Sequence, residues 1–141
     1  MVAVYRAPMR SRDDDIDWAA TLERAFTLGL VGFGDVDTTD RRVQRFADVD
    51  VGSFVWTRDA AGWYRLGRID GPYSHDGSAE ALAVDLVHVR PCRWSARPIP
   101  EHRVPTAVLA TFARGGRNFQ RTHDPAVGDE SETVWRRSPQ V

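Results

Sequence analysis

The sequence predicts an α+β fold, in which a small curved β-sheet or barrel packs against about three helices on its outside. In the first part of the chain, apolar residues recur at helical spacing, as at Trp18, Leu22 and Phe26. From Val51 onward the period changes to two, which is typical of strands. Helices therefore precede a sheet, and the two layers must share a hydrophobic core.

One strand and two helices are expected in the N-terminal third. Residues 2–5 form the first strand, and the acidic run at 13–15 favours the start of the first helix, where negative charge is stabilising. That helix ends in the segment GLVGFGD at residues 29–35, whose glycines are predicted to place Phe33 on a bend. One of the two threonines that follow then caps a second, shorter helix.

The later part of the chain predicts the strands of the sheet. The turn DAAG at residues 59–62 joins two alternating segments into a hairpin. A loop around Tyr73 leads to a long strand at 84–94, which Pro91 interrupts in a way that suits a bulge or a barrel corner. The remaining elements are a third helix at 105–112 and a closing strand at 115–123.

The 141 residues, of which 42% are hydrophobic, suffice for one domain. We expect this domain to span residues 1–124, because the composition then turns polar and residues 125–141 resemble a tail or linker. No apolar run is long enough for a membrane span, so we expect a cytoplasmic protein without a membrane partner. Cys92 is the only cysteine, which excludes an internal disulfide and a thiolate metal cluster. We predict no cofactor and no metal ion.

Positive charge is concentrated in one segment. All 19 basic residues are arginines, and they nearly balance the 20 acidic ones. Residues 88–121, however, contain seven arginines against Glu101 as the single acid. Arginine binds phosphate through a planar fork, so this segment suits a nucleic-acid backbone, although a solvated charged face is an equal alternative on charge alone. The predicted phosphate-binding residues are Arg90, Arg93, Arg114, Arg117 and Asn118.

Catalytic patterns are weak in this sequence. The best fragment is His75 beside Asp76 in a loop, with His88 and His123 elsewhere. Adjacent loop residues seldom point into one site, and no phosphate-cradling glycine loop occurs. We therefore predict a binding protein and not an enzyme.

Three aromatic residues lie at the ends of predicted elements, where a side chain can line a concavity. They are Phe33, Trp56 and Tyr73. A core position is the alternative for all three, and for Trp56 it is at least an even choice. Stacking of a base on an aromatic face contributes about 1 to 3 kcal/mol, so aromatic rings beside a basic segment favour a nucleobase pocket.

A series of short motifs follows a fixed order over roughly residues 2–124. The motifs are VYRAP, LVGFGD, VGSFVWTRD, LGRIDGPYSHD, HVRPCRW and GGRNF. This order resembles the EVE-like branch of the PUA-like superfamily, which includes the EVE, YTH and ASCH domains. Parts also resemble YTH domains, namely DDDI, GRIDGP and VRPCRW. Several prokaryotic members of this branch are the recognition domains of modification-dependent restriction systems.

The resemblance implies a pocket for an extruded, chemically modified base. Arg6 and Ala7 would form the floor, and Phe33 would occupy the place where relatives often have a cage tryptophan. The opposite wall would consist of Tyr73, Ser74, His75 and Asp76, with Ser74 and Asp76 as base-edge partners. Residues 77–84 contain no tryptophan, so the full three-sided YTH cage for methylated adenine is not reproduced.

The resulting prediction is a non-catalytic module that recognises a methylated or otherwise decorated base, most readily in DNA. It would act as the specificity element of a restriction or anti-phage system, with a nuclease or other effector as partner. An RNA-binding reader of the same fold is the first alternative. A protein-interaction adaptor within a defence complex is the second.

Overall fold

The protein folds as a curled, half-barrel mixed sheet with helices packed around it, which confirms the predicted α+β class. This computed structural model describes residues 2–34 and 36–141. The strands are β1 (Val4–Arg6), β2 (Leu30–Phe33), β3 (Phe54–Arg58), β4 (Tyr64–Ile69), β5 (Ser74–His75), β6 (His88–Trp94) and β7 (Gln120–Arg121). The helices are α1 (Trp18–Leu28), α2 (Arg41–Ala47), α3 (Ala79–Ala83), α4 (Thr106–Ala113) and α5 (Val127–Arg136).

The sheet curls because β6 serves two sets of neighbours. The strand order is β2-β6-β4-β3-β1-β7, and β5 also pairs with β6. The first half of β6 pairs with β2 and β5, whereas its residues after Pro91 pair with β4. Pro91 therefore lies at the change of partner, as the predicted bulge or corner required. Only the β1–β3 pair is parallel among the described strand pairs.

Both faces of the central strands are buried. Along β3, Val55 packs into one apolar cluster, while Phe54 and Trp56 pack into the other. Alternation in a strand sends successive side chains to opposite faces, so each face has its own core. The first core lies under α1 and α2, where it includes Leu22 and Phe46. Two helices close the second core: α4 and α5.

Side-chain caps define where the first two helices begin. The Asp17 carboxylate accepts a hydrogen bond from the backbone N–H of Ala19 and starts α1. Asp40 caps α2 in the same way, so the predicted threonine cap is wrong by one or two residues. The helix α1 ends at Gly29, whose φ of 66° lies in the left-handed region that favours glycine.

Phe33 lies at the end of a strand and not on a bend. It pairs with His88 in the antiparallel ladder between β2 and β6. Gly32 is needed there because a Cβ atom at this position would lie 1.8 Å from the carbonyl oxygen of His88. The glycine therefore permits a close strand approach, which is a different requirement from a turn.

The C-terminal segment is part of the folded core, so the expectation of a tail or linker at 125–141 is wrong. Helix α5 buries Val134 and Trp135 in the second core. The indole N–H of the fully buried Trp56 donates a 3.0 Å hydrogen bond to Ser131 Oγ in the same helix. Across the described part of the chain, no helix has the length and apolar character that crossing a membrane requires.

Candidate nucleic-acid interface

A cavity of about 580 Å³ is lined by residues of β1, α2 and the two edge strands of the curled sheet, β2 and β7. Its wall also includes the segment between β1 and α1. The size lies within the usual range for small-molecule sites, which is about 300 to 1,000 Å³. This cavity is the candidate functional site.

Four aromatic rings form a continuous cluster in the cavity wall. Tyr5 and Phe119 are stacked, with ring centroids 4.9 Å apart and planes 14° from parallel. Phe46 meets Phe119 edge-on at 5.0 Å and Phe33 at 5.0 Å. Three of these rings are only partly buried, namely Tyr5, Phe33 and Phe119. The cavity therefore presents aromatic faces to a ligand while Phe46 anchors them in the core.

Positive charge surrounds the same cavity. The lining includes six arginines and His123 but only two carboxylates among the described residues, Asp48 and Asp85. The arginines are Arg10, Arg12, Arg42, Arg45, Arg117 and Arg121. An anionic ligand is favoured at such a site.

Two of these arginines hold the cavity wall together. Arg117 donates to the carbonyl oxygen of Ser11 at 2.7 Å and pairs with Asp14 at 3.0 Å. Arg12 donates to Asn118 Oδ1 at 3.3 Å. The segment after β1 is thereby tied to the segment before β7, although the two lie far apart in sequence.

Arg6 and Ala7, the predicted pocket floor, are buried, and so is Trp56, which was predicted as a stacking or wall residue. Their burial contradicts these predicted roles. Ala7 and Trp56 are 1% and 0% exposed and belong to the two cores. Arg6 is buried as well, and its guanidinium donates to the carbonyl oxygens of Thr111 and Gly115 at 2.8 and 2.6 Å. Burial, together with the charge of Arg114, lowers the pKa of Arg6. Arg6 therefore fastens β1 to the end of α4.

The predicted opposite wall lies outside the cavity. Tyr73 is half-buried, and its hydroxyl shares a 2.9 Å hydrogen bond with His88 Nδ1. Since His88 Nε2 faces the Val36 carbonyl at 2.7 Å and must donate to it, Nδ1 accepts from Tyr73. Ser74 and His75 are exposed on β5 and are not among the lining residues.

Asp76 is committed to local structure and does not line the cavity. Its carboxylate accepts from the backbone N–H of Ser78 at 3.0 Å and pairs with Arg24 at 3.2 Å. The hydrogen bonds from Ser78, followed by the Arg24 contact, lower the pKa of this carboxyl. Asp76 therefore lies outside this cavity, and its role as a base-edge partner stays a prediction.

The predicted phosphate-binding residues divide into two groups. Arg117 and Asn118 line the cavity, as Phe33 does. Arg93 lies at a second, smaller hollow, and Arg114 is exposed outside both. Arg90 is only 2% exposed and donates to the carbonyl oxygens of Gly71 and Phe46 at 2.7 and 2.8 Å. Arg90 is therefore a structural residue, which contradicts its predicted role.

Several cavity residues escaped the sequence prediction. Tyr5 and Phe119 were missed because each becomes a wall residue only when β1 pairs with β7. The register of this pair sets Tyr5 opposite Arg121, and alternation along β1 turns Tyr5 away from its buried neighbours Val4 and Arg6. The alternation of side chains along the strand VYR was the sequence signal that could have placed Tyr5 on the cavity side. The described residues contain no group of three His, Cys, Asp or Glu side chains that could hold a metal ion.

No family model and no curated protein matches this sequence. Solved structures match its fold. The Pho92 YTH domain in complex with m6A aligns with a TM-score of 0.58 at 11% identity, over 96% of this chain and 84% of that chain. The YTH domain of the Zygosaccharomyces rouxii MRB1 protein, in complex with N6-methyladenosine RNA, aligns with a TM-score of 0.52 at 11% identity, over 96% and 85% of the two chains.

These two structural likenesses show the fold of the chain, whereas the sequence resemblance also implied a family and a function. At 11% identity the two structures show a shared fold, and membership of the PUA-like superfamily stays a prediction. Assignment to the EVE-like branch stays a prediction. The chain adopts the α+β fold shared with YTH domains.

Proposed function

We propose that this protein binds nucleic acid and holds one modified base in the aromatic cavity, without catalysing a reaction on that base. One observation carries the proposal: the stacked Tyr5 and Phe119 rings and the half-buried Phe33 lie in a cavity lined by arginines. A base supplies a flat π-face for the rings, and its neighbouring phosphates supply anions for the arginines.

The arginines divide into those that build the wall and those that can reach a phosphate. Arg12 and Arg117 are held by hydrogen bonds to neighbouring segments. Arg45 and Arg121 are exposed, and no described residue forms a salt bridge with either side chain. The guanidinium of Arg10 lies over the Trp18 ring at 5.0 Å and keeps its donors available. We assign phosphate contact to Arg10, Arg45 and Arg121.

RNA is the favoured nucleic acid. Both YTH structures that share this fold contain m6A, and one is described as an RNA complex. These ligands support a modified-base reader of the RNA class, which the sequence offered as its alternative. Modified DNA, with a restriction or anti-phage role and an effector partner, rests on the EVE-like resemblance alone and forms the other arm of the test.

The test is a binding panel of short single strands that carry one modified base, in matched RNA and DNA, measured by fluorescence anisotropy. With three arginines on phosphates, the logarithmic salt slope should be about −2, which weakens binding about 20-fold between about 50 and about 200 mM salt. The modified base should bind more tightly than the unmodified one at both salt concentrations. Tighter binding of the DNA series would show that the protein reads a modified base in DNA instead of RNA.

The control is a matched pair of double variants. Arg45→Ala with Arg121→Ala should weaken every strand and flatten the salt slope, because two phosphate contacts are removed. Arg93→Ala with Arg114→Ala removes the same charge outside the cavity and should leave both quantities unchanged. Salt-independent binding, or equal effects of the two pairs, would contradict the proposal and favour a protein-interaction adaptor.

A further inference from the structure

Asp85 occupies an unusual place in the cavity wall. It lies between α3 and β6, and its φ of 52° is in the left-handed region that few non-glycine residues adopt. Asp48 is the other described carboxylate in the lining. A carboxylate in a cavity that otherwise suits an anion calls for a specific function.

The carboxylate of Asp85 is held in one orientation. Ser11 Oγ donates a 2.5 Å hydrogen bond to Asp85 Oδ2, and the same Ser11 oxygen accepts from the backbone N–H of Asp13 at 3.0 Å. The single hydroxyl proton of Ser11 is therefore committed to Oδ2. Gly34 leaves the space for the other oxygen, because a Cβ at position 34 would lie 1.9 Å from Asp85 Oδ1.

The second carboxylate oxygen, Oδ1, has no hydrogen-bond partner in the described part of the chain. Within residues 2–34 and 36–141, no group donates a hydrogen bond to Asp85 Oδ1, and none of the cavity arginines forms a salt bridge with Asp85. An ionised carboxylate can only accept hydrogen bonds. It also repels phosphate, so its partner in a bound strand must be a donor on the base.

We propose that Asp85 selects the base, with Oδ1 accepting a hydrogen bond from an N–H of an exocyclic amino group. This inference rests on the proposed function and makes it more specific. A base whose amino nitrogen carries one substituent keeps an N–H and is bound. A base whose amino nitrogen carries two substituents has no N–H and leaves the carboxylate unpaired, which is costly in a partly buried site.

The experiment uses two pairs of single-stranded RNA probes. One pair carries N6-methyladenine or N6,N6-dimethyladenine, and the other carries N4-methylcytosine or N4,N4-dimethylcytosine. The wild-type protein should bind the monomethyl member of at least one pair about tenfold more tightly. In Asp85→Asn this preference should disappear. The Ser11 hydroxyl should donate to the amide oxygen of the new Asn side chain, which turns its NH₂ group towards the base. That NH₂ group and the amino group of the base are both hydrogen-bond donors, so they cannot bond to each other.

Two further variants separate selection from a structural role. Asp48→Asn makes the same charge change in the other cavity carboxylate and should keep the preference. Ser11→Ala combined with Asp85→Asn frees the amide to rotate and should restore part of the preference, which a merely structural Asp85 would not do. Asparagine tolerates the left-handed backbone, so melting temperatures of the Asn variant should stay near the wild-type value.

The outcomes are distinct. A monomethyl preference that survives in Asp85→Asn overturns this inference and leaves the proposed function intact. Equal binding of both members of both pairs by the wild-type protein does the same. Absence of salt-dependent binding to any strand overturns the proposed function itself.

Discussion

The rings of Tyr5 and Phe119 lie almost parallel, with centroids 4.9 Å apart, and join β1 to the segment that leads into β7. Neither ring is fully buried. The stack therefore stabilises the edge of the sheet and also exposes an aromatic surface in the cavity. Arg117 and Arg121, which lie two residues before and after Phe119 in the sequence, belong to the same cavity lining.

Replacing Phe119 by Ala should remove most of the preference for a modified base, because the stacking surface is lost. The expected loss of binding free energy is about 1 to 3 kcal/mol, measured by anisotropy. Phe112→Ala is the matched control, since Phe112 is also half-buried but packs at 5.7 Å against Tyr64 in the second core. If both variants lose stability and binding in equal measure, Phe119 acts only through the fold.

Replacing Arg90 by Met should destabilise the protein by about 3 kcal/mol or more, because buried carbonyl oxygens lose their donors. Arg90 donates to the carbonyl oxygens of Phe46 and Ala47 at the end of α2, so it also holds the helix that contributes Phe46 to the cavity wall. Urea unfolding measures the change.

Arg93→Met is the comparison for this prediction. It lies three residues along the same strand and is exposed, so its effect should stay within about 0.5 kcal/mol. An equal, small effect of both substitutions would mean that Arg90 is not the structural anchor described here.

The buried thiol of Cys92 makes stability fall in alkaline solution. Burial raises the pKa of this thiol well above its ordinary value. The neutral thiol of the folded state is favoured, so its contribution is complete below the unfolded pKa of about 8.5 and is lost as pH rises above that value, by at most about 1.4 kcal/mol per pH unit. Urea unfolding between about pH 7 and pH 10 should show this slope. Cys92→Ala should lack it, and identical slopes would refute the assignment.

Removing the Ser131 hydroxyl tests whether α5 belongs to the domain. Ser131→Ala leaves the buried indole N–H of Trp56 without its acceptor and should cost about 1 to 3 kcal/mol of stability. Thr133→Ala in the same helix removes an exposed hydroxyl and should cost less than about 1 kcal/mol. Equal melting temperatures for both variants would return residues 125–141 to the status of a tail.

The fold class could be predicted because the periodicity of the sequence is local. Helical spacing located α1, and alternation located the β3–β4 hairpin. The glycines of LVGFGD misled the prediction for a physical reason. Gly32 and Gly34 serve close approaches to His88 and Asp85, and nothing in the local sequence distinguishes this requirement from a turn.

The site was harder to predict because its members meet only after folding. Tyr5 and Phe119 come from opposite ends of the chain, and their pairing depends on the β1–β7 register. Counting charges gave the wrong role for Arg90, which is buried and donates to carbonyl oxygens. The sequence alone does not distinguish such an arginine from an exposed one that binds phosphate. Placement of Arg117 and Asn118 in the cavity lining agrees with the sequence, and their contact with nucleic acid stays a prediction.

The most direct test of the central claim is to locate the bound base on the protein by amide chemical-shift mapping. A short RNA with one central N6-methyladenine is titrated into isotope-labelled protein. The largest shifts should fall on the amides of cavity residues such as Gly34, Asn118 and Gln120. The amides of Thr27 and Asp70 at the second hollow should stay unchanged. Saturable shifts confined to the second hollow, with the cavity amides unmoved, would contradict the account.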